Sequence, residues 1–215
     1  MSKTRTAFFC QNCGAQSSKW MGRCNSCGEW NTYVEEVIQR DDNQPAWQKR
    51  DEIKAAGKPI SIVEIQPEAQ NRINTQNVEF NRVLGGGMVP GSLVLVGGEP
   101  GIGKSTLMLQ IALNMDNTKV LYVSGEESQQ QIMMRAQRIG MNNPFCYVYN
   151  ETSVQNLAVY LSEFQPQLLI VDSIQTLVTD LISSGAGSIS QVRECTVYLQ
   201  KYAKLTNTPV VLIGH

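Results

Sequence analysis

Residues 97–106 read GGEPGIGKST, a glycine-rich stretch between two apolar segments. It carries the pattern G-x-x-x-x-G-K-[ST] at Gly98, Gly103, Lys104 and Ser105. A short apolar run precedes it at residues 93–96, and apolar residues at helical spacing follow it. A strand, a glycine-rich turn and a helix in this order are typical of a phosphate-binding loop.

The loop has the chemistry that a bound phosphate chain requires. Its glycines let the backbone fold tightly, so that N–H groups face an anion beside the positive end of the following helix. We expect Lys104 to reach the β- and γ-phosphates, the Ser105 hydroxyl to ligate Mg2+, and Thr106 to hold phosphate or cap the turn. ATP and Mg2+ are therefore the predicted cofactors. The predicted nucleotide-binding residues are Gly98, Glu99, Pro100, Gly101, Ile102, Gly103, Lys104, Ser105 and Thr106.

The sequence around the loop alternates between strand and helix patterns. Predicted strands lie at 93–96, 120–123, 145–150, 168–173 and 209–214, and predicted helices at 104–115, 128–140, 153–164 and 190–205. Such alternation produces βαβ units. We therefore predict an α/β domain with a parallel sheet flanked by helices.

Acidic side chains follow two of these predicted strands. Asp172 ends a buried run, where a carboxylate is expected to hold the water shell of the metal. Glu126 and Glu127 lie just beyond another strand, at the edge where parallel sheets bind ligands. One of the two glutamates is placed to be the general base, and the other to favour the start of the next helix by its charge. Spacing alone does not choose between them.

A second motif lies near the amino terminus, where four cysteines follow the pattern C-x2-C-x10-C-x2-C. The predicted metal ligands are Cys10, Cys13, Cys24 and Cys27. Two Cys-x-x-Cys turns facing each other form a tetrahedral four-thiolate site, the usual coordination of structural Zn2+. A redox dithiol pair and an iron centre are the alternatives.

Trp20 and Trp30 flank the second cysteine pair, with Lys19 and Arg23 beside them. Exposed tryptophans next to basic side chains stack on nucleobases in many nucleic-acid-binding proteins. The other interpretation, that both tryptophans cover the core of the small module, is favoured because small modules need their aromatic residues for burial.

Composition narrows the function classes. The chain has 215 residues and a formal net charge of −1, which gives no whole-chain electrostatic case for nucleic acid or an anionic membrane. No apolar run reaches the roughly 20 residues of a membrane helix, and the first residues lack a secretory apolar segment, so the cytoplasm is the expected compartment. We predict a metal module at 1–33, a linker at 34–58 and the α/β domain at 59–215. Residues 60–65 are expected to be a short strand or a docking segment.

Four segments in this order carry a family resemblance. They are the doubled CxxCG pattern, LGGGMVPGSLVLVGGEPGIGKSTL at 84–107, VSGEES at 123–128 and LLIVDSIQTL at 168–177. Together they resemble the bacterial RadA/Sms family of DNA-repair ATPases. The resemblance implies a RecA-like P-loop ATPase core preceded by a C4 zinc ribbon. It also implies DNA-dependent ATP hydrolysis in recombinational repair, with promotion of branch migration. The implied partners are single-stranded and branched DNA, a recombinase and further copies in a hexameric ring.

The resemblance also implies roles for individual residues. Asp172 matches the second nucleotide motif of the family, and Glu126 its catalytic glutamate. Residues 181–190 lie where relatives place a first DNA-binding loop, although this stretch contains no Lys or Arg and an ordinary surface loop is the alternative. His215, the single histidine, stands where RecA-like ATPases place a γ-phosphate sensor, and a surface residue is again the alternative.

Family members continue with a second DNA-binding loop, a KNRFG motif and a Lon-protease-like domain. The ATPase domain is therefore expected to be incomplete at its carboxyl end. Two other functions fit the motifs. One is a KaiC-like P-loop ATPase whose ribbon docks proteins, and the other is a zinc- and nucleotide-binding piece of a longer polypeptide without turnover.

Overall fold

The computed structural model describes residues 5–38, 60–64, 71–140 and 142–214. Two sheets organise this part of the chain. A small antiparallel sheet belongs to the cysteine module, which we call the ribbon, and a five-stranded sheet belongs to the α/β domain.

The ribbon sheet has the order β2-β1-β3. Its strands are β1 (Arg5–Cys10), β2 (Gln16–Ser17) and β3 (Tyr33–Ile38). Residues 34–38, which the sequence assigned to the linker, therefore belong to the ribbon. The sequence of β3 lacks the apolar alternation typical of a strand, because its buried residues are Tyr33 and the charged Glu36. The rest of the predicted linker lies outside the described residues.

The large sheet confirms the predicted parallel α/β core. Its strands are β4 (Leu93–Gly97), β5 (Val120–Ser124), β6 (Cys146–Asn150), β7 (Leu168–Asp172) and β8 (Val210–Gly214). They pair in the order β4-β8-β7-β5-β6, and every neighbouring pair is parallel. The strands β5, β7 and β8 are buried along their whole length, as expected of continuous apolar runs covered on both faces.

Five α-helices accompany the strands in the described part of the chain. They are α1 (Val78–Val83), α2 (Lys104–Asn114), α3 (Gln129–Ile139), α4 (Val154–Phe164) and α5 (Ile189–Thr206). Local chemistry sets their ends, since Ser128 and Gln131 form a capping box on α3, Gly140 ends that helix, and Ser153 caps α4. The short α1 was not predicted.

The predicted segment at 60–65 contains a 3₁₀ turn at Ile62–Glu64 instead of a strand. Its side chains are exposed, and residue 65 lies outside the described part.

The helices cover the two faces of the sheet. Side chains of α2 and α3 pack in one apolar cluster, and those of α4 and α5 pack in the other. Cys195 is fully buried in the second cluster, where burial raises its thiol pKa to about 12. Of the helices described, none is both long and apolar enough to cross a membrane.

The ribbon packs against the start of α5 and the loop before it. Arg193 Nη1 donates to the Gly14 carbonyl at 2.6 Å, and the Ser190 hydroxyl donates to Glu36 Oε1 at 2.8 Å. The Val37 amide donates to Ser183 Oγ at 3.3 Å. Glu36 is only 1% exposed, and the positive end of α5 favours its carboxylate there. The loop that the resemblance assigned to DNA is thus a contact surface for the ribbon.

We predict that Gly14→Ala weakens this contact. Gly14 has φ +71°, and a Cβ there would lie 2.9 Å from Ile189 Cγ2. Gly28→Ala is the matched control, since Gly28 has φ +81° but its Cβ would meet only Arg23 Nη2, at 3.5 Å. Both variants should lose about 1 kcal/mol of ribbon stability through the left-handed backbone. Only Gly14→Ala should also lose hydrogen-exchange protection at the Val37 amide. Equal protection in the two variants would contradict this.

Candidate functional site

The phosphate loop joins β4 to α2 and has the conformation that its glycines allow. Gly101 has φ +82° and Gly103, the N-cap of α2, has φ +98°. Lys104 is buried, and its Nζ donates to the carbonyls of Gly98 at 2.6 Å and Glu99 at 2.7 Å. The backbone carbonyls of the phosphate loop thus hold the Lys104 ammonium against the loop.

A cavity of about 300 Å3 lies beside this loop. It is lined by Pro100, Gly101, Gly103, Lys104, Ser105, Thr106, Glu126, Glu127, Arg135, Asp172 and Ile213. The structure therefore brings Lys104, Asp172 and both candidate glutamates together at one cavity. Three predicted nucleotide-binding residues, Gly98, Glu99 and Ile102, do not line it. The carbonyls of Gly98 and Glu99 accept hydrogen bonds from Lys104 instead. His215 lies outside the described residues.

Asp172 is held by a buried tyrosine that sequence reasoning missed. The Tyr122 hydroxyl donates to Asp172 Oδ2 at 2.5 Å and lies 3.4 Å from the Ser105 carbonyl oxygen. Burial first, and then the Asp172 charge, raise the pKa of Tyr122, so the phenol stays a proton donor. Tyr122 thus connects the carboxylate at the end of β7 to the start of α2. The signal in the sequence was a tyrosine hydroxyl within the apolar run at residues 120–123.

The two glutamates have different surroundings. Glu127 forms an ion pair with Arg135 of α3, whose side chain is only 11% exposed. Glu126 Oε1 accepts a hydrogen bond of 2.9 Å from the Ser173 hydroxyl. Helix α3 is capped by Ser128, and Glu127, one residue before this cap, is paired with Arg135. Arg135 was missed because its partner lies eight residues away and not at helical spacing.

The four ribbon cysteines form one cluster. Their sulfur atoms all lie within 4.8 Å of one another, with Cys10–Cys27 at 3.7 Å and Cys13–Cys24 at 3.6 Å. A tetrahedron with metal–sulfur bonds of about 2.3 Å has sulfur–sulfur edges of about 3.8 Å. The cluster therefore fits a four-thiolate Zn2+ site.

The backbone around the cluster repeats itself. Gly14 donates its amide to the Cys10 carbonyl at 2.8 Å, and Gly28 donates to the Cys24 carbonyl at 2.9 Å. The Cys27 amide, followed by the Tyr33 hydroxyl, lowers the pKa of Cys24 to about 6. Thr32 Oγ1 lies 3.1 Å from Cys10 Sγ. Such contacts around the ligands favour the thiolates that a metal requires.

The tryptophans correct one sequence interpretation. Trp20 is 55% exposed and Trp30 67% exposed, so neither covers the ribbon core. Tyr33, Cys10 and Cys24 fill that core instead. The expectation failed because a metal-stabilised module needs few buried aromatic residues.

Family models match both parts of the chain. Residues 8–35 match a zinc-ribbon model of the LapB type, described as a rubredoxin metal-binding domain. Residues 73–145 match the KaiC ATPase model. The two matches cover the cysteine cluster and the phosphate loop with the glutamate pair.

Curated relatives match the whole chain. DNA repair protein RadA of Bacillus subtilis is 48% identical over 217 residues, and the protein of the same name from Listeria monocytogenes is 45% identical over 219 residues. RadA of Streptococcus pyogenes is 44% identical over 220 residues. Each alignment covers 100% of this chain and 47% of the relative, so the chain spans about half the length of these curated relatives.

We predict that the purified chain carries one zinc ion and that Cys24→Ser loses it, because one of four thiolates is then absent. Metal release measured with a chromogenic chelator should fall to background, and the ribbon should unfold, since zinc supplies folding energy in such modules. Cys146→Ala is the control, because Cys146 lies outside the cluster. Full zinc content in Cys24→Ser, or iron in the wild-type chain, would contradict the assignment.

Proposed function

Because the chain belongs to the RadA/Sms family of bacterial DNA-repair ATPases, we propose that it acts in recombinational repair as a DNA-dependent ATPase that promotes branch migration. One observation carries the catalytic part of this proposal. Lys104, Asp172 and Glu126 come from three different parts of the chain and line the same cavity beside the phosphate loop. These are the groups that a P-loop ATPase requires around a triphosphate and its attacking water.

Phosphate binding begins at Lys104. The ammonium must exchange the Gly98 and Glu99 carbonyls for phosphate oxygens, and the loop amides and the start of α2 hold the rest of the anion. Ser105 and Asp172 are the residues that would hold Mg2+, which neutralises charge on the β- and γ-phosphate oxygens. Tyr122 orients Asp172 for this task by its hydrogen bond to Oδ2.

Water activation is assigned to Glu126. Its carboxylate lines the cavity and accepts a hydrogen bond from Ser173, which orients it without neutralising its charge. Glu127 is compensated by the Arg135 guanidinium and is therefore the weaker proton acceptor. The ion pair also supports the resemblance, which implied the same choice.

The DNA-related parts of the proposal rest on the family resemblance, and the curated relatives are DNA repair proteins. These parts include binding of single-stranded and branched DNA, a hexameric ring, a recombinase partner and a cytoplasmic location. His215 remains a proposed γ-phosphate sensor that we expect near Lys104.

The KaiC model supports a second candidate, a P-loop ATPase whose ribbon docks proteins. Single-stranded DNA distinguishes the two candidate functions, because it should raise the rate of ATP hydrolysis only in a DNA-dependent ATPase. Binding of ATP without turnover would instead support the zinc- and nucleotide-binding piece.

We predict that Lys104→Ala lowers the rate of ATP hydrolysis by about 100-fold or more, because the main charge on the phosphates is lost. Glu126→Gln should lower kcat by about 100-fold or more through loss of the base, and Glu127→Gln should lower it much less. Phosphate release from ATP in the presence of Mg2+, with and without single-stranded DNA, measures the hydrolysis rate of each variant. An unchanged rate in Lys104→Ala would exclude this site as the catalytic one.

We predict that Tyr122→Phe raises the Mg2+ concentration for half-maximal ATP hydrolysis by about tenfold. A hydrogen bond to a charged group contributes about 1.5–3 kcal/mol, and its loss frees Asp172 to turn away from the metal. Tyr147→Phe removes the same atom from a half-exposed residue of β6 and is the matched control. Equal Mg2+ dependence in the two variants would show that Tyr122 does not position Asp172.

A further inference from the structure

The ribbon presents two large aromatic side chains to solvent. Trp20 and Trp30 are both more than half exposed, although the ribbon core is closed by Tyr33 and the cysteines. An indole left outside such a small core is unused by the fold. It leaves a flat apolar surface available to a ligand.

The two indole rings flank the same glycine, Gly22. A Cβ on Gly22 would lie 3.7 Å from Trp20 Cη2 and 4.0 Å from Trp30 Cζ3, so both rings lie beside the same backbone position. The absent side chain of Gly22 lets the rings approach it. We call Trp20, Gly22 and Trp30 the aromatic platform.

The second cysteine pair holds the platform rigidly. Arg23 and Trp30 form an antiparallel bridge, and the Asn31 amide donates to the Gly22 carbonyl at 2.7 Å. The Cys24 amide donates to the Glu29 carbonyl at 2.8 Å, which closes the turn between Arg23 and Trp30. Preorganised side chains on a metal-stabilised turn lose little entropy on binding.

Cationic side chains flank the platform. The Arg23 guanidinium carbon lies 5.6 Å from the centre of the Trp30 ring, and Arg23 Nε donates to the Gly28 carbonyl at 2.9 Å. Within the described part of the chain its other nitrogens have no hydrogen-bond partner, so they are available to an anion. Lys19 is exposed next to Trp20, and Glu29 is the acidic neighbour of Trp30. Flat rings beside cations complement a strand of bases and phosphates.

The first cysteine pair faces a different environment. Gly14, at the end of that pair, contacts Ile189 and Arg193 of α5. The ribbon is therefore anchored to the α/β domain by the first cysteine turn and by β3, whereas the platform is built on the second cysteine turn.

We propose that the aromatic platform binds single-stranded DNA by stacking Trp20 and Trp30 on bases, with Arg23 and Lys19 contacting neighbouring phosphates. This inference rests on the proposed DNA-dependent function and assigns a DNA contact to the ribbon. Stacking on bases depends little on sequence, as a repair protein that meets many sequences requires.

The test measures binding of a fluorescein-labelled oligo(dT) to the whole chain by anisotropy. Trp20→Ala and Trp30→Ala should each weaken binding by about tenfold, and Trp30→Phe should restore most of the affinity. Phe145→Ala removes an exposed aromatic residue next to β6 and should bind as the wild type does. Lys19→Ala and Arg23→Ala should each lower the slope of log affinity against log salt by about 0.7.

A second measurement reports stacking directly. Trp47 lies outside the described residues, and Trp47→Phe leaves Trp20 and Trp30 as the fluorescent tryptophans. Oligo(dT) should quench their fluorescence, and zinc content should be unchanged in every variant.

The outcomes separate this inference from the proposed function. Unchanged affinity in both tryptophan variants, with wild-type binding intact, would overturn the platform and favour a protein partner there. Absence of wild-type binding to any oligonucleotide would overturn the platform together with the DNA-dependent function. The effect of Lys104→Ala on ATP hydrolysis tests the nucleotide site independently of either result.

Discussion

The level ending of the parallel strands is the constraint on which the nucleotide site depends. Gly97 pairs with Gly214, Asp172 with Ile213, and Ser124 with Asp172, so β4, β8, β7 and β5 finish at one edge. The segments that follow β4, β5 and β7 therefore start beside the same cavity. The hydrogen-bond register of the sheet alone brings together the phosphate loop, Asp172 and the glutamate pair.

Charge compensation determines what the assembled cavity can do. A buried charge without a partner is costly, and both buried ionic groups that line this cavity have one: loop carbonyls for Lys104 and a phenol for Asp172. The partly exposed Glu127 is paired with the Arg135 guanidinium. Glu126 differs, because its partner in the described chain is the neutral Ser173 hydroxyl. A carboxylate paired with a guanidinium, as in Glu127, is a poor base. The Lys104 ammonium is bonded to neutral carbonyls, which charged phosphate oxygens can replace. The same charge pairing therefore stabilises the cavity without a ligand and leaves Lys104 and Glu126 as the groups proposed to act on ATP.

Sequence alone predicted those parts of the structure that local patterns encode. The phosphate loop, the cysteine pairs and the buried strands each lie within short stretches, and their geometry follows from glycine, sulfur and apolar spacing. Tyr122 and Arg135 were missed because their roles depend on side chains from other elements. Trp20 and Trp30 were misassigned because a rule for small apolar cores was applied to a module whose stability comes from metal. Spacing also does not reveal the ion pair between Glu127 and Arg135, which supports the proposed choice of Glu126.

The contact between ribbon and loop changes where a nucleic acid is expected. Residues 181–190 contain no Lys or Arg, and Gln191 binds the loop carbonyls of Ile182 and Ser184 from inside. Ser183 and Ser190 are bonded to the ribbon. This loop therefore has few free groups for phosphate, whereas the ribbon next to it carries cations and exposed rings. Since the same ribbon also grips the first turns of α5, DNA on the platform would be attached to the helix that leads directly into β8. That strand pairs with the strand of the phosphate loop, so the ribbon is physically joined to the nucleotide edge through one helix and one strand.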